Sequence, residues 1–153
     1  MTDLLAVVEA SGFAVALRSS VWLYPLVNTA HIIGIALLFG AIVPLDLRLL
    51  GAWKAVPVGT LARVLRPVAA TGLAVAAAAG ALLFITRASE YVASGFFQVK
   101  LLLIALAAAN ALALHLLPAA LVEERTPAVR ASALMSVASW SGVILLGRLV
   151  GYF

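Results

Sequence analysis

Cysteine is missing from this 153-residue sequence, and charged side chains are scarce. The missing thiols exclude disulfides, thiolate metal sites, cysteine nucleophiles and covalently attached c-type haem. Only 10% of the residues are Asp, Glu, Lys or Arg, whereas about a quarter are charged in an average soluble domain. The sequence also lacks a phosphate-binding loop, a zinc signature and a nucleophile triad, so it indicates no enzyme class.

Hydrophobic residues make up 65% of the chain, and the mean hydropathy is +1.19. This composition predicts a membrane protein, and the length leaves room for about four spans of ~20 residues and no separate soluble domain. The formal net charge of +4 and the pI near 10.1 do not indicate nucleic-acid binding. The basic residues lie singly at the ends of apolar runs, where they anchor helices in the bilayer.

The apolar runs predict an all-α fold, an antiparallel bundle of four membrane-spanning helices that forms one domain over residues 1–153. A short helix in the membrane interface is predicted before the first span, from the helical spacing of apolar residues between Leu4 and Val15. Gly147 and Gly151 form a small-xxx-small pair in the fourth span, which favours close helix packing or a homo-oligomer. The predicted spans are residues 21–45, 67–86, 99–122 and 128–152.

Lysine and arginine are distributed unevenly between the two ends of the predicted bundle. Six lie at the end that holds the first and third loops, and four lie at the opposite end with both termini. The positive-inside rule therefore predicts a bacterial inner-membrane protein with both termini in the periplasm. The six are Arg48, Lys54, Arg63, Arg66, Arg125 and Arg130, and the four are Arg18, Arg87, Lys100 and Arg148.

Ionisable groups within the predicted spans are candidates for function, because burying them in lipid is costly unless they find a partner. His31 lies near mid-depth of the first span, and His115 lies deep in the third span toward its cytoplasmic end. All six carboxylates fall in the N-terminal segment, at span ends or in loops, which disfavours proton-coupled transporters and intramembrane aspartyl proteases. The two histidines are therefore the principal candidates.

His31 has neighbours that suit a haem or metal ligand. Asn28, Gly34 and Leu38 share its helix face, so that Asn28 is placed to orient the imidazole and Gly34 leaves space for a flat macrocycle. Neutral imidazole offers a lone pair to haem iron, and helix bundles commonly hold such a ligand between facing helices. Two alternatives stay open: a histidine that donates a hydrogen bond across the bundle, and one that binds a bare metal ion or carries a proton.

His115 is a candidate second axial ligand. It lies seven residues closer than His31 to the cytoplasmic boundary of its span, which is about 10 Å of depth. Two imidazoles on one iron must bring their nitrogens within about 4 Å, so a shared haem requires tilted helices. Arg148 and Arg87 lie at the periplasmic end, where their paired N–H groups suit haem propionates, although Arg148 equally suits snorkelling to the interface.

Three short patterns occur in the chain: H-x-x-G at His31 and Gly34, D-L-R-x-L-G at Asp46 to Gly51, and G-R-x-x-x-Y-F at Gly147 to Phe153. With these patterns the chain resembles a family of small bacterial four-helix inner-membrane proteins of unknown function. A histidine early in one span, and a lysine-led span that ends in another histidine, are more distantly similar to membrane copper-resistance and b-type cytochrome-like proteins. That likeness implies haem or copper handling.

The leading hypothesis is a membrane protein that binds b-type haem and transfers electrons to a periplasmic or quinone partner. A non-enzymatic accessory subunit that packs against another membrane protein is the first alternative. A copper or cation handling protein is the second alternative. Two features of the sequence argue against it: Met1 and Met135 are its only methionines, so there is no methionine cluster, and no acidic residues line a path along a span. The predicted cofactor site consists of His31 as the principal axial ligand, His115, Asn28, Gly34, Arg148 and Arg87, and a copper ion would be held by the two histidines.

Overall fold

The computed structural model describes residues 2–152, with side chains from Leu4 onward. The helices of this part of the chain are α1 (Thr2–Glu9), α2 (Gly12–Ser19), α3 (Leu23–Leu50), α4 (Val58–Phe84), α5 (Ala88–Ala93), α6 (Gly95–Leu116), α7 (Ala119–Glu124) and α8 (Pro127–Leu149). Four of them, α3, α4, α6 and α8, are long and apolar enough to cross a membrane. The chain is therefore an all-α, multi-pass membrane protein, as its hydropathy predicts.

Two helices extend beyond the span boundaries that the sequence predicts. The first span is predicted to end at residue 45, but α3 continues through Pro44 to Leu50. The second is predicted to begin at Pro67, but α4 begins at Val58. A proline inside a membrane helix removes one backbone hydrogen bond and does not necessarily end the helix. The additional turns carry arginines, which lower the hydropathy without opposing helix formation.

Pro118 divides the third predicted span. α6 begins at Gly95 and ends at Leu116, and the short α7 follows the proline. Leu117 is extended, with φ −71° and ψ 145°, which is the conformation favoured for a residue before proline. This break places His115 in the last turn of α6, exposed at the end of the bundle and not deep within it.

The membrane helices pack in a row, with α4 against α3, α3 against α8, and α8 against α6. α3 and α6 run in one direction, from the end of the bundle that holds Leu23 (the Leu23 end) to the end that holds Leu50 (the Leu50 end). Asn110 fixes α6 to α8, because its Nδ2 donates to the Ser132 carbonyl at 3.1 Å and its Oδ1 accepts from the Ser132 hydroxyl at 2.7 Å. α4 and α6 share no comparable interface within residues 2–152, and a cleft separates them near the Leu50 end.

Glycine allows α3 and α4 to approach until their backbones touch. A Cβ atom at Gly34 would lie 2.5 Å from the backbone nitrogen of Ala76, and one at Gly72 would lie 2.5 Å from the backbone nitrogen of Leu38. Neither separation is sterically allowed, so any larger residue would force the two helices apart. These four residues form the α3–α4 seam.

The N-terminal segment forms two short helices where the sequence predicts one. The hydroxyl of Ser11 caps α2 by accepting from the Ala14 N–H at 3.3 Å. Arg18 in α2 donates to the Thr86 carbonyl after α4 at 3.0 Å, and α1 lies against α5. The segment therefore packs on the Leu23 end of the bundle.

Glu9 gives this segment a pH-sensitive contact. Its carboxylate accepts a hydrogen bond from the Ser89 backbone N–H, which lowers the pKa of Glu9 below its ordinary value. A lowered pKa means that the contact stabilises the docked segment at neutral pH and is lost as the pH falls through the folded-state pKa. We therefore expect the protection of α1 and α5 amides against hydrogen exchange to fall below about pH 4.

Glu9→Gln is the matched variant for this prediction. It should lower the protection factors of α1 and α5 already at neutral pH and remove most of their response to acid, because glutamine does not titrate in this range. Protection that declines with acid to the same extent in both proteins would show that Glu9 does not hold the segment in place.

Candidate functional site

His31 is half-buried where α3 faces α4, about two turns from the start of α3. Its Nδ1–H donates to the Ala76 carbonyl at 2.7 Å, and since a carbonyl only accepts, this bond fixes the tautomer of the neutral ring. Gly80, one turn further along α4, leaves room for the imidazole, because a Cβ atom there would lie 3.0 Å from His31 Cε1. α4 therefore determines both the position and the tautomer of the ring.

Nε2 is the ring nitrogen of His31 that can still coordinate a metal ion. When Nδ1 of neutral imidazole carries the proton, Nε2 carries the lone pair. Nε2 also lies farther from α4 than Nδ1 does. A Cβ atom added at Gly80 would be 4.0 Å from Nε2 and 3.3 Å from Nδ1. Histidines that bind metal ions usually donate their other N–H to a carbonyl or a carboxylate. Ala76 makes the orienting contact that the sequence predicts for Asn28, whereas Asn28 is exposed.

Gly34 does not border open space beside His31. The room left by its missing side chain is filled by the α4 backbone in the α3–α4 seam. A macrocycle cannot lie on this face of α3 unless the two helices separate. The structure therefore corrects the role predicted for Gly34, and a ligand of His31 has to lie on the Nε2 side of the ring.

Lys100 is a half-buried cation of α6 that sequence reasoning counted only as an interfacial anchor. Its Nζ would lie 3.6 Å from a Cβ atom added at Gly147 on α8, and it lies 5.8 Å from the centre of the Phe97 ring. It lies within electrostatic range of His31, and it forms no hydrogen bond or ion pair in the described part of the chain. The sequence signal for this arrangement is Gly147, whose missing side chain leaves room for the lysine stem.

His115 lies at the Leu50 end, apart from His31. Its Nδ1 is 3.2 Å from Nη1 of Arg66, and since arginine only donates, the imidazole accepts this hydrogen bond. His31 contacts α4 at Ala76 and His115 contacts it at Arg66, and these ten residues correspond to about 15 Å along a helix. The structure does not bring the two histidines together as ligands of one iron or copper ion.

Arg148 and Arg87, the predicted partners of haem propionates, are exposed at the Leu23 end. Nη2 of Arg148 donates to the Tyr152 hydroxyl at 2.8 Å, and its guanidinium lies 4.8 Å from the centre of that ring. Nη1 of Arg87 lies 3.3 Å from a carboxylate oxygen of Glu90. Both guanidinium groups therefore lie at the surface, where each contacts one side chain of the protein itself.

A second polar cluster lies at the Leu50 end, where Asp46 and Arg48 are each only 4% exposed. Nε of Arg48 donates to the Val56 carbonyl in the loop after α3, and its Nη2 lies 3.7 Å from Glu123 of α7. Gly51, with φ +118°, ends α3 in the left-handed conformation that favours glycine. The D-L-R-x-L-G pattern thus combines two buried charged residues with a helix end.

Within residues 4–152, whose side chains the structure describes, no three His, Asp or Glu side chains come together as a metal-binding group. The chain matches no known family model, no curated protein and no solved structure. The family resemblance of the sequence patterns therefore stays a prediction. The interpretation of function depends on the geometry at His31.

Proposed function

We propose that this protein binds b-type haem through Nε2 of His31 and transfers electrons in the bacterial inner membrane. The observation that carries the proposal is the hydrogen bond from His31 Nδ1 to the Ala76 carbonyl. That bond restricts rotation of the ring and leaves the Nε2 lone pair to coordinate iron. When bound, haem supplies reversible one-electron transfer at its iron.

Lys100 completes the proposed site. A half-buried ammonium group that meets no acidic partner among residues 4–152 suits a propionate carboxylate, because charge-assisted hydrogen bonds are stronger where water is scarce. His115 has no part in this site, since it contacts α4 about 15 Å away from the His31 contact. The larger number of basic residues at the Leu50 end supports a cytoplasmic position for that end and periplasmic termini.

Absorption spectroscopy tests this function. The purified protein, supplied with haemin, is expected to show a Soret band, and His31→Ala should abolish it because the axial ligand is removed. Free imidazole should restore the band to His31→Ala, since it can occupy the space of the missing side chain. His115→Ala is the matched control and should keep the spectrum of the unmodified protein.

Two results would contradict the haem proposal. One is a protein that develops no Soret band with added haemin. The other is a band that persists in His31→Ala, which would assign the haem to a different ligand.

The α3–α4 seam favours a second candidate, a non-enzymatic accessory subunit. In that role Gly34 serves only close helix packing, and the His31 hydrogen bond serves only to join α3 to α4. The protein would then be colourless and would elute with another membrane protein in fixed stoichiometry after mild solubilisation. Elution as a single species that carries haem would exclude this candidate.

A further inference from the structure

A cleft of about 510 Å³ opens between α4 and the α6–α7 segment at the Leu50 end. Its polar lining comes from Arg63, Arg66, His115 and Glu123, and its apolar lining includes Pro67 and Val122. The hydrogen bond from Arg66 Nη1 to His115 Nδ1 holds the guanidinium group at the cleft. The cleft therefore presents positive charge beside an apolar wall.

The two arginines of this cleft have no carboxylate partner among the side chains that the structure describes. Neither Arg63 nor Arg66 forms an ion pair in the part of the chain that the structure describes. Glu123 also lines the cleft, but its carboxylate accepts from the Val58 N–H at 3.0 Å and lies 3.7 Å from Arg48. Arg63 and the N–H groups of Arg66 that do not bind His115 are therefore available to a phosphate, which arginine binds through paired hydrogen bonds.

An apolar depression adjoins the cleft along α4. It has a volume of about 290 Å³ and is lined by Leu37, Val68, Thr71 and Pro67, the last of which also lines the cleft. The Leu50 end contains one end of each of the four candidate membrane spans, and the ends of such helices are expected at the level of the lipid headgroups. Basic pockets between membrane helices at this level bind acidic headgroups.

We propose that the cleft binds an anionic phospholipid of the surrounding membrane, with the phosphate on Arg63 and Arg66 and an acyl chain in the adjoining depression. A phospholipid uses both parts of this surface, whereas a free phosphate ion uses only the charged part. The site does not involve His31 and does not depend on haem.

Lipid binding to the purified full-length protein tests the proposal, with phosphatidylglycerol, phosphatidylcholine and inorganic phosphate as probes. We expect phosphatidylglycerol to bind at least about tenfold more tightly than phosphatidylcholine. Arg66→Gln and Arg63→Gln should each weaken phosphatidylglycerol binding about tenfold, the effect of losing one charge-assisted hydrogen bond. Native mass spectrometry and titration of tryptophan fluorescence provide the affinities.

Arg130→Gln is the matched control, because Arg130 is exposed in the first turn of α8 at the same end but does not line the cleft. It should leave the affinity unchanged, as should His31→Ala, which separates this proposal from the haem proposal. Arg63 is exposed, so its variant is expected to fold even if the Arg66 variant does not.

Three outcomes would overturn the proposal. Equal weakening by Arg130→Gln would mean that binding follows net charge alone. Equal affinity for phosphatidylcholine would mean that the arginines do not select the headgroup. Displacement of phosphatidylglycerol by an equal concentration of inorganic phosphate would identify a free anion as the ligand.

Discussion

Gly34→Ala is expected to lower the free energy of unfolding by about 2 kcal/mol, the usual scale of overpacking in a tightly packed interior. The added Cβ atom would lie 2.5 Å from the backbone nitrogen of Ala76 and 2.9 Å from the Gly72 carbonyl oxygen. Backbone atoms cannot rotate away as the end of a flexible side chain can. The two helices must therefore separate along the α3–α4 seam, which also weakens the His31 hydrogen bond.

Gly40→Ala is the control for this prediction, because the same methyl group on the same helix would meet no atom of the described residues within 4 Å. Alanine favours the helix over glycine by about 1 kcal/mol, so this variant should be as stable as the unmodified protein or more stable. Equilibrium unfolding in detergent, followed by circular dichroism, gives both values. Equal stability of the two variants would show that the seam is not closely packed.

Arg48→Met is expected to cost about 3 kcal/mol, because it removes one partner from a buried polar cluster. Arg48 is only 4% exposed and joins three parts of the chain, namely α3, the Val56 carbonyl in the following loop and Glu123 of α7. Methionine has a similar length but offers no donor, so the Val56 carbonyl loses its hydrogen bond. The loop and α7 should then become less protected against hydrogen exchange than the Leu23 end.

Lys54→Met is the matched control for the arginine. Lys54 lies in the same loop, is exposed and also loses one positive charge on substitution. Its unfolding free energy should change by no more than about 0.5 kcal/mol, as is usual for surface substitutions. If both variants were destabilised equally, the effect would follow net charge and not the contacts of Arg48.

The helical fold could be predicted from the sequence because hydropathy is summed over many residues, so that no single position decides it. The helix ends could not be placed in the same way. Pro44 and Pro67 lie inside helices, whereas Pro118 ends one, and their local sequences do not distinguish these cases. The outcome depends on whether neighbouring helices support the backbone around the proline.

The candidate site was predictable only in part. The sequence singled out His31 because an imidazole within an apolar run needs a partner, but the partner is a backbone carbonyl of α4. No pattern within α3 identifies a carbonyl contributed by another helix. Gly34 shows the same difficulty, since a missing side chain indicates close approach without telling whether a helix or a cofactor comes close.

The α3–α4 seam also makes the bundle mechanically asymmetric. The backbones of α3 and α4 are in direct contact, so these two helices cannot move closer or slide easily. α4 and α6 have only a small interface, and the cleft lies between them. Thermal breathing of the bundle should therefore widen the gap between α4 and α6 and leave the α3–α4 pair moving as one stiff body. Because His31 and Ala76 both belong to that body, the imidazole would keep its orientation while the rest of the protein flexes.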